Sequence, residues 1–212
     1  MIILSGVYLF GINSLSAILA QYIRDDSRYS IRGVTVNLKY CNYKEILGLP
    51  LVPFEDLPSG SVDFGIINCV GYSENLGVRE FISSQITDKG IPLVSYIHQS
   101  AIVDGAEIGD GTIVMNNAVI EPYSRVGKGN VFYGGSYVCH HAIIGDYNWF
   151  SANAVLAGEV TVGNRNFFGV NSSVRERLKI GSMTTIGMGT VVIRDVPDNS
   201  VAIGNPATVR SQ

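Results

Sequence analysis

Two adjacent histidines, His140 and His141, are the residues of this sequence best suited to acid–base chemistry. An imidazole exchanges a proton near neutral pH, as a general base must. Gly158 lies eighteen residues after His140, and Glu159 lies eighteen residues after His141. A glycine lets a substrate approach the backbone closely, so its N–H can stabilise an oxyanion. Acyl transfer from a thioester needs both groups at one place.

A six-residue repeat predicts that this spacing brings the two positions together. Every sixth residue is apolar, in the run Ile102, Ile108, Val114, Ile120, Val126, Phe132, Val138, Ile144, Phe150, Leu156, Val162, Phe168, Val174, Ile180, Ile186 and Val192. This period fits a solenoid of three short strands per coil, with these residues pointing inward. Residues 18 apart then lie one above the other at about 4.8 Å, over about five coils.

Residues 1–97 show a different pattern, in which strands alternate with helices. The expected elements are a strand at Ile2–Leu4, a loop at Ser5–Asn13, a helix at Leu15–Ile23 capped by Ser14, strands at Tyr29–Asn37, within Lys44–Leu57 and at Ser61–Gly71, a helix at Glu74–Lys89 and a last strand at Ile91–Ile97. This order predicts a small α/β domain with a parallel, Rossmann-like sheet at 1–97. An all-β solenoid at 98–196 and a tail at 197–212 follow.

Composition limits the partners of this chain. Its 212 residues are 46% hydrophobic and carry a net charge of only −3, so we expect no nucleic-acid partner and no anionic membrane. Cys41, Cys69 and Cys139 lack metal-ligand spacing, as expected for reduced thiols in a cytoplasm. Residues 1–23 carry no charged side chain, but they have no basic start and several polar interruptions, so we expect neither a membrane span nor a signal segment.

Four segments together resemble a known family. They are the N-terminal αβ region, IHQSAIV (97–103), HHAIIGD (140–146) and VAIGNPATV (201–209). They are similar to the bacterial hexapeptide-repeat N-acetyltransferases that act on UDP-4-amino-sugars, and to the related sialic-acid O-acetyltransferase-like proteins. The resemblance covers nearly the whole chain. It implies a left-handed parallel β-helix, a homotrimer, acetyl-CoA bound between subunits as co-substrate, and no metal.

The resemblance also implies roles for individual residues. The histidine that matches His140 is the general base of the family, and the glycine that matches Gly158 supplies the oxyanion donor. Contacts to acetyl-CoA would fall on Trp149, Gly158, Val170 and Met188.

The sequence departs from the family pattern in two places. A carboxylate usually follows the catalytic histidine, where this chain has His141; Glu159, one coil above, is our hypothesis for the replacement. In the first loop, Leu9 and Phe10 replace the inner glycine and the histidine of the family pattern. After the second strand, Val36 and Asn37 replace the acidic pair of the family. The expected substrate-binding residues are Gly6, Tyr8, Leu9, Phe10, Asn37 and Gly71.

The leading functional hypothesis is N-acetylation, by acetyl-CoA, of a UDP- or dTDP-linked 4-amino-6-deoxy sugar in the synthesis of surface glycan precursors in the cytoplasm. O-acetylation of a sugar or of sialic acid is the alternative within the same class. A zinc enzyme resembling the β-helical carbonic anhydrases is disfavoured, because His98 is distant and adjacent histidines on an extended chain point in opposite directions. A non-catalytic trimer that binds a ligand is the third possibility.

Overall fold

The chain divides into two compact units, Met1–Val94 and Ser95–Gln212, in a computed structural model. The structure describes residues 6–26, 28–60, 63–72 and 77–212. The strand predicted at Ile2–Leu4 lies outside these ranges. The division between the units falls close to His98, where the sequence predicts the first coil.

The first unit is built on a five-stranded sheet in the order β3-β4-β2-β1-β5. Its elements are β1 (Gly6–Phe10), α1 (Ser14–Asp26), β2 (Ile31–Val36), β3 (Glu45–Ile46), β4 (Leu49–Pro53), β5 (Phe64–Asn68) and α2 (Gly77–Asp88), with short 3₁₀ helices at Leu38–Tyr40 and Phe54–Asp56. Strand β1 pairs in parallel with both β2 and β5, and β4 pairs in parallel with β2. Strand β3 runs antiparallel to β4 at the edge. The predicted small parallel sheet is therefore confirmed.

Strand β1 occupies most of the segment that the sequence predicts as a loop, so the loop prediction at Ser5–Asn13 is wrong for Gly6–Phe10. Gly6 is the first residue of this strand. A side chain would not fit there, because a Cβ would lie 2.9 Å from both Arg32 Cγ and the Ser30 carbonyl oxygen. The chain turns later, at Gly11, which has a φ of +127°. This is a conformation that glycine adopts without strain.

Helix α1 is capped by Asn13 rather than by Ser14 as predicted. Asn13 Oδ1 accepts the Ser16 N–H at 3.1 Å, and Ser16 Oγ accepts the Asn13 N–H at 3.0 Å. This reciprocal arrangement satisfies two amides at the start of the helix. Asn13 Nδ2 also donates to the Cys69 carbonyl at 2.8 Å. The cap therefore ties α1 to the chain that leaves β5.

The predicted last strand, Ile91–Ile97, is divided between the two units. Leu93 makes a single parallel bridge to Ile66 in the first unit. Tyr96–Ile97 forms β6, which pairs with Ile113–Val114 in the second unit. The prediction of one continuous strand is therefore wrong.

The second unit is a parallel β-helix with three faces, whose strands are numbered along the chain. The first face contains β7 (Ile102–Val103), β10 (Val119–Ile120), β13 (Tyr137–Val138), β16 (Val155–Leu156), β19 (Ser173–Val174) and β22 (Val191–Val192). The second contains β8 (Glu107–Ile108), β11 (Arg125–Val126), β14 (Ile143–Ile144), β17 (Thr161–Val162) and β20 (Lys179–Ile180). The third contains β6, β9 (Ile113–Val114), β12 (Val131–Phe132), β15 (Trp149–Phe150), β18 (Phe167–Phe168), β21 (Thr185–Ile186), β23 (Ser200–Ile203) and β24 (Thr208–Ser211).

The predicted register holds from Ile108 onward, and one prediction before it is wrong. Val103, not Ile102, pairs with the inward residue Ile120, and Ile102 is 59% exposed. The first coil is therefore one residue shorter than eighteen. Later strands pair at a spacing of eighteen, as in Val138 with Leu156. The inward residues form one continuous core inside the coils.

Two columns inside the β-helix show how the coils stabilise one another. Phe132, Phe150 and Phe168 stack almost in parallel, with ring centroids 4.6 and 4.5 Å apart. Each such aromatic pair is worth about 1 kcal/mol beyond its buried area. At one corner, Asn148 N–H donates to Asn130 Oδ1 at 2.8 Å, and Asn148 Oδ1 accepts the Asn166 N–H at 2.9 Å. A buried polar ladder therefore satisfies the backbone of this corner.

The segment predicted as a tail, 197–212, is ordered. Strand β23 pairs in parallel with β21, and β24 pairs antiparallel with β23. The last described residues therefore cover the end of the third face. No helix of the described part of the chain is both long and apolar enough to span a bilayer.

The asparagine ladder gives a prediction about stability. Asn148→Leu keeps the number and branching of the side-chain heavy atoms but leaves the buried Asn166 N–H without its acceptor, and a buried amide without a partner costs about 1–3 kcal/mol. We expect the free energy of unfolding to fall by about 3 kcal/mol, since the side-chain hydrogen bonds of Asn148 to Asn166 and to the Gly163 carbonyl are lost together. Urea unfolding measures the change. Asn42→Leu, at an exposed position, is the control, and equal losses in the two variants would contradict the prediction.

Candidate active site

The corner between the first and second faces carries both histidines, and we call residues 139–142 and 157–160 the His140 corner. His140 and His141 follow β13, and Gly158 and Glu159 follow β16, one coil later. The corner residues His141 and Glu159 have φ values of +59° and +62°. The Glu159 N–H donates to the His140 carbonyl at 3.0 Å, which fixes one coil on the other.

The imidazole of His140 lies directly over the Gly158 backbone. A Cβ placed on Gly158 would lie 2.8 Å from His140 Cε1 and 3.0 Å from Nε2. These distances are too short for a real side chain, so any larger residue at position 158 would displace the imidazole from this place. The structure thus brings together the two groups that the eighteen-residue spacing predicts.

The backbone N–H of Gly158 is available to a ligand. The two flanking amides are used in the ladder, since Ala157 donates to Val174 and Glu159 to His140. Gly158 N–H has no acceptor in the hydrogen-bond network of the described residues. A free backbone donor of this kind can stabilise an oxyanion, and the exposed imidazole beside it can take up a proton.

His140 and His141 converge rather than diverge, which corrects the expectation that neighbouring side chains point in opposite directions. Their Nδ1 atoms are 3.0 Å apart, and the rings meet edge to face at 87°. The cause is the left-handed backbone of His141, because alternation holds only along an extended strand. Tyr123, one coil below, packs on the His141 ring with centroids 4.9 Å apart.

Glu121 lies one coil before the His140 corner and was not predicted from the sequence as a residue of the site. Its Oε2 accepts the His140 backbone N–H at 2.7 Å, and its Oε1 accepts the Tyr137 hydroxyl at 2.6 Å. The Tyr137 hydrogen bond, together with that from His140, holds the pKa of the Glu121 carboxyl below its ordinary value. One sign was present in the sequence: position 121 lies eighteen residues before Cys139, the neighbour of His140.

Glu159, the predicted replacement for the missing carboxylate, is engaged elsewhere. Its Oε1 accepts hydrogen bonds from Arg177 Nε at 3.2 Å and Nη2 at 3.1 Å. The hydrogen bond and the charge of Arg177 lower the pKa of Glu159. Glu159 is therefore close to His141 in the stack, but its hydrogen bonds face the next coil.

Cys139 precedes His140, and its environment disfavours a thiolate. Burial, with the negative charge of Glu121 as a second cause, raises the pKa of the Cys139 thiol. A nucleophilic cysteine needs the opposite shift. The imidazole is therefore the better candidate for chemistry at this corner.

The residues expected to contact acetyl-CoA lie at separate places on the β-helix. Val170 and Met188 stack eighteen residues apart at the corner between the third and first faces, where they are 38% and 75% exposed. Trp149 is 7% exposed on the third face and packs against Tyr133 at 5.2 Å. Gly158 lies at the His140 corner. Within one chain, the first face therefore separates Gly158 from Val170 and Met188.

The first unit has an open cavity of about 410 Å³ at the carboxyl ends of its strands. Its lining is mostly apolar and consists of Phe10, Gly11, Ile12, Val36, Asn37, Tyr40, Val70, Val78 and Ile82. Ligands of open parallel sheets bind at this edge, where neighbouring strands lead off in different directions. The cavity is thus the candidate ligand site of the first unit.

Two of the six predicted substrate residues, Phe10 and Asn37, line this cavity. Gly71 follows Val70 beside it, and a Cβ on Gly71 would meet nothing within 4 Å. Gly6 lies at the other end of β1, and Tyr8 and Leu9 lie within the strand, with Leu9 fully buried. Because β1 pairs on both sides, the amides of these strand residues are directed into the sheet rather than toward a pyrophosphate.

In the described ranges, no group of three or more histidine, cysteine, aspartate or glutamate side chains could hold a metal ion. His98 interacts instead with Ser100, whose N–H donates to His98 Nδ1 at 3.1 Å.

Comparison with solved structures confirms the predicted resemblance to the hexapeptide-repeat N-acetyltransferases of nucleotide amino sugars. A crystal structure from Caulobacter crescentus, PerB in complex with CoA and GDP-perosamine, matches with a TM-score of 0.86 and 27% identity, covering 97% of this chain and 97% of its own. A histidine-to-asparagine variant of perosamine N-acetyltransferase from the same organism, also with CoA and GDP-perosamine, has a TM-score of 0.87 and 26% identity over 98% of this chain and 97% of its own.

The acetyltransferase domain of PglB from Neisseria gonorrhoeae shares the fold, with a TM-score of 0.86 and 24% identity over 96% of this chain and 98% of its own. No protein-family model and no curated protein matches the sequence of this chain. The likeness to these proteins is therefore found by comparing structures.

Glu121 gives a prediction about pH. Because its pKa is lowered by folding, Glu121 stabilises the protein fully above the ordinary glutamate pKa, and this stability is lost as pH falls through the lower folded-state value. We expect Glu121→Gln to unfold at lower urea than the wild type at pH 7, with the difference shrinking below about pH 4. Urea midpoints from pH 7 to pH 3 test this. Glu107→Gln, at an exposed position, is the control, and a difference that grows with acid would contradict the assignment.

Proposed function

We propose that this chain is an acetyl-CoA-dependent N-acetyltransferase acting on a nucleotide-linked amino sugar. The observation that carries the proposal is the His140 imidazole over the Gly158 backbone, because it places a base beside a free peptide N–H. The similar enzyme from Caulobacter crescentus binds CoA and GDP-perosamine. We take the β-helix to be left-handed, as the resemblance implies. Its fold around the His140 corner is consistent with the same chemistry.

In the proposed reaction, the amine nitrogen of the sugar attacks the thioester carbonyl of acetyl-CoA. A C–N bond forms, the carbonyl π electrons move to oxygen, and His140 Nε2 takes a proton from the amine. The Gly158 N–H donates to the resulting oxyanion. The C–S bond then breaks as the oxyanion collapses, and the CoA thiolate takes from His140 the proton that came from the amine. Glu121 acts by holding the His140 backbone through its 2.7 Å hydrogen bond.

The sugar nucleotide is proposed to bind in the cavity of the first unit. The cavity lies at the edge of the sheet that binds nucleotides in folds of this type, and it offers an apolar lining for a base with Asn37 as a polar contact. The family resemblance implies UDP or dTDP, whereas the Caulobacter enzyme binds a GDP-linked sugar. All three nucleotides are therefore candidates.

A homotrimer is part of the proposal, because within one chain the first face separates Gly158 from Val170 and Met188, which are also expected to contact acetyl-CoA. The outward residues of the first face are mainly apolar, namely Ile102, Val119, Tyr137, Val155, Ser173 and Val191. Those of the second face include Glu107, Arg125 and Lys179. A closed ring pairs two different patches of neighbouring copies. Burial of the first face would bring the His140 corner of one subunit near the Val170 and Met188 corner of another.

The test of the function is acetyl-CoA turnover with UDP-, dTDP- and GDP-linked 4-amino-6-deoxy sugars, measured as thiol release. We expect at least one amino sugar to be acetylated and its 4-hydroxy counterpart to be inert. His140→Ala should lower kcat by about 10²–10⁴-fold, because it removes the general base. Its affinity for CoA should change little.

His98→Ala is the control for the loss of a histidine and should keep the wild-type rate. Turnover of the hydroxy sugars alone would favour O-acetylation instead. Binding of CoA and sugar nucleotide without any turnover would contradict an enzyme and support the non-catalytic trimer.

The trimer gives a separate prediction. Val155→Glu places a charge on the apolar first face, at a side chain that is 36% exposed in the single chain. We expect dissociation to monomers and loss of turnover, because burying an unpaired charge is costly. Light scattering after gel filtration measures the mass. Ile143→Glu, on the second face at 51% exposure, is the matched control and should remain a trimer. The reverse pattern would place the interface on the second face.

A further inference from the structure

The contact between the two histidines determines which nitrogen of His140 can act as a base. At 3.0 Å, the two Nδ1 atoms form a hydrogen bond only if one of them carries a proton and the other does not. In the first arrangement, His140 donates from Nδ1 and its Nε2 is free to accept a proton. In the second, His141 donates from Nδ1, and the Nε2 of neutral His140 carries a hydrogen and cannot act as a base.

We propose that His141 is a positioning residue that accepts the Nδ1–H of His140 and thereby keeps His140 Nε2 unprotonated above Gly158. The proposal rests on the proposed acetyltransferase function for its consequence, but not for its geometry. A neutral imidazole thus occupies the position where the family resemblance implies a carboxylate.

The surroundings of the pair leave His141 as the hydrogen-bond partner of His140 Nδ1. The two carboxylates on either side are already engaged, Glu121 by the Tyr137 hydroxyl and the His140 backbone, and Glu159 by Arg177. Among the described residues, neither carboxylate accepts a hydrogen bond from an imidazole nitrogen. The acceptor within reach of His140 Nδ1 is therefore the ring of His141.

The orientation of His141 is itself fixed. Its backbone adopts the left-handed corner conformation, and its N–H approaches the Pro122 carbonyl at 3.4 Å. Tyr123 covers one side of the ring at 4.9 Å, with the planes 30° apart. A ring held in this way keeps its Nδ1 within hydrogen-bond reach of His140 Nδ1, as the orienting group of a catalytic triad does for its histidine.

The hydrogen bond from His140 to His141 leaves the atoms and protons of the proposed acetyl transfer balanced. His140 Nε2 takes the proton of the attacking amine, and the Nδ1–H stays hydrogen-bonded to the lone pair of His141 Nδ1. The positive charge of the imidazolium is shared along this hydrogen bond. The proton on Nε2 then passes to the CoA thiolate, and the pair returns to its first state with no added reactant.

Three substitutions at position 141 separate orientation from simple disruption. His141→Phe keeps a ring beneath which Tyr123 can stack but removes the acceptor. We expect kcat to fall about 100-fold with KM nearly unchanged, as for a base held in the wrong tautomer. His141→Glu supplies an acceptor that cannot donate and should restore kcat to within about tenfold of the wild type. His141→Lys can only donate and should be as slow as His141→Phe.

Two further variants test whether a change in kcat comes from the lost acceptor at position 141. Aromatic residues are accepted at this type of corner, since Tyr123 and Tyr147 have φ values of +67° and +56°. Met183→Phe, at a corner with φ of +56°, measures the cost of phenylalanine there and should keep the wild-type kcat. Glu159→Gln addresses the earlier hypothesis. A loss of kcat in Glu159→Gln, together with a wild-type kcat in His141→Phe, would overturn the proposal.

A second measurement does not depend on turnover. The chain has three histidines, so ¹⁵N-labelled histidine in the whole protein gives three ring spin systems, assigned with His98→Ala and His140→Ala. We expect neutral His140 to carry its hydrogen on Nδ1 and neutral His141 to carry its hydrogen on Nε2. The opposite pattern would overturn the proposal even if the protein is an acetyltransferase. The expected pattern in a protein without turnover would leave the pairing intact and refute only the proposed function.

Discussion

The stacking of coils at a repeat of eighteen residues is the constraint on which the rest of the second unit depends. Each coil donates its backbone amides to the next, as Val155 does to Ser172 and Ala157 to Val174. Residues eighteen apart therefore occupy equivalent positions in successive coils, and their side chains form columns. The same rule that stacks Phe150 on Phe132 in the core also places Gly158 above His140 at the surface. Stability and chemistry thus follow from one spacing.

The corners convert this regular scaffold into a site. A left-handed residue recurs every six positions, and the column at the His140 corner contains Tyr123, His141, Glu159 and Arg177. In a strand, adjacent side chains diverge, but the turn at His141 brings its ring back to His140. Such a conformation is uncommon for a non-glycine residue, and histidine is among the residues that tolerate it better. The fold therefore determines that the two imidazoles meet, and the column supplies their neighbours.

The sequence predicted the parts of the molecule that depend on period and failed where a local choice decides. The inward residues from Ile108 onward and the pairing of His140 with Gly158 follow directly from the repeat. The loss of one residue in the first coil left no mark, because Ile102 and Val103 are both apolar. Strand β1 was mistaken for a loop because Gly6 resembles a turn residue, whereas it is required by the close approach of Arg32. Glu121 was missed because its role depends on where one side chain points.

The distribution of charge around His140 explains how the corner can work without a carboxylate on the imidazole. Glu121 and Glu159 are both near, but their hydrogen bonds hold the backbone of His140 and the guanidinium of Arg177. Their negative charges therefore stabilise the framework. A carboxylate bonded directly to Nδ1 would stabilise the imidazolium more strongly than a neutral ring does. With His141 in that place, the proposed proton transfers through His140 Nε2 would take place beside a neutral hydrogen-bond partner at Nδ1. A neutral imidazole there is chemically compatible with the proposed cycle, because the orientation of the ring needs only a hydrogen-bond acceptor.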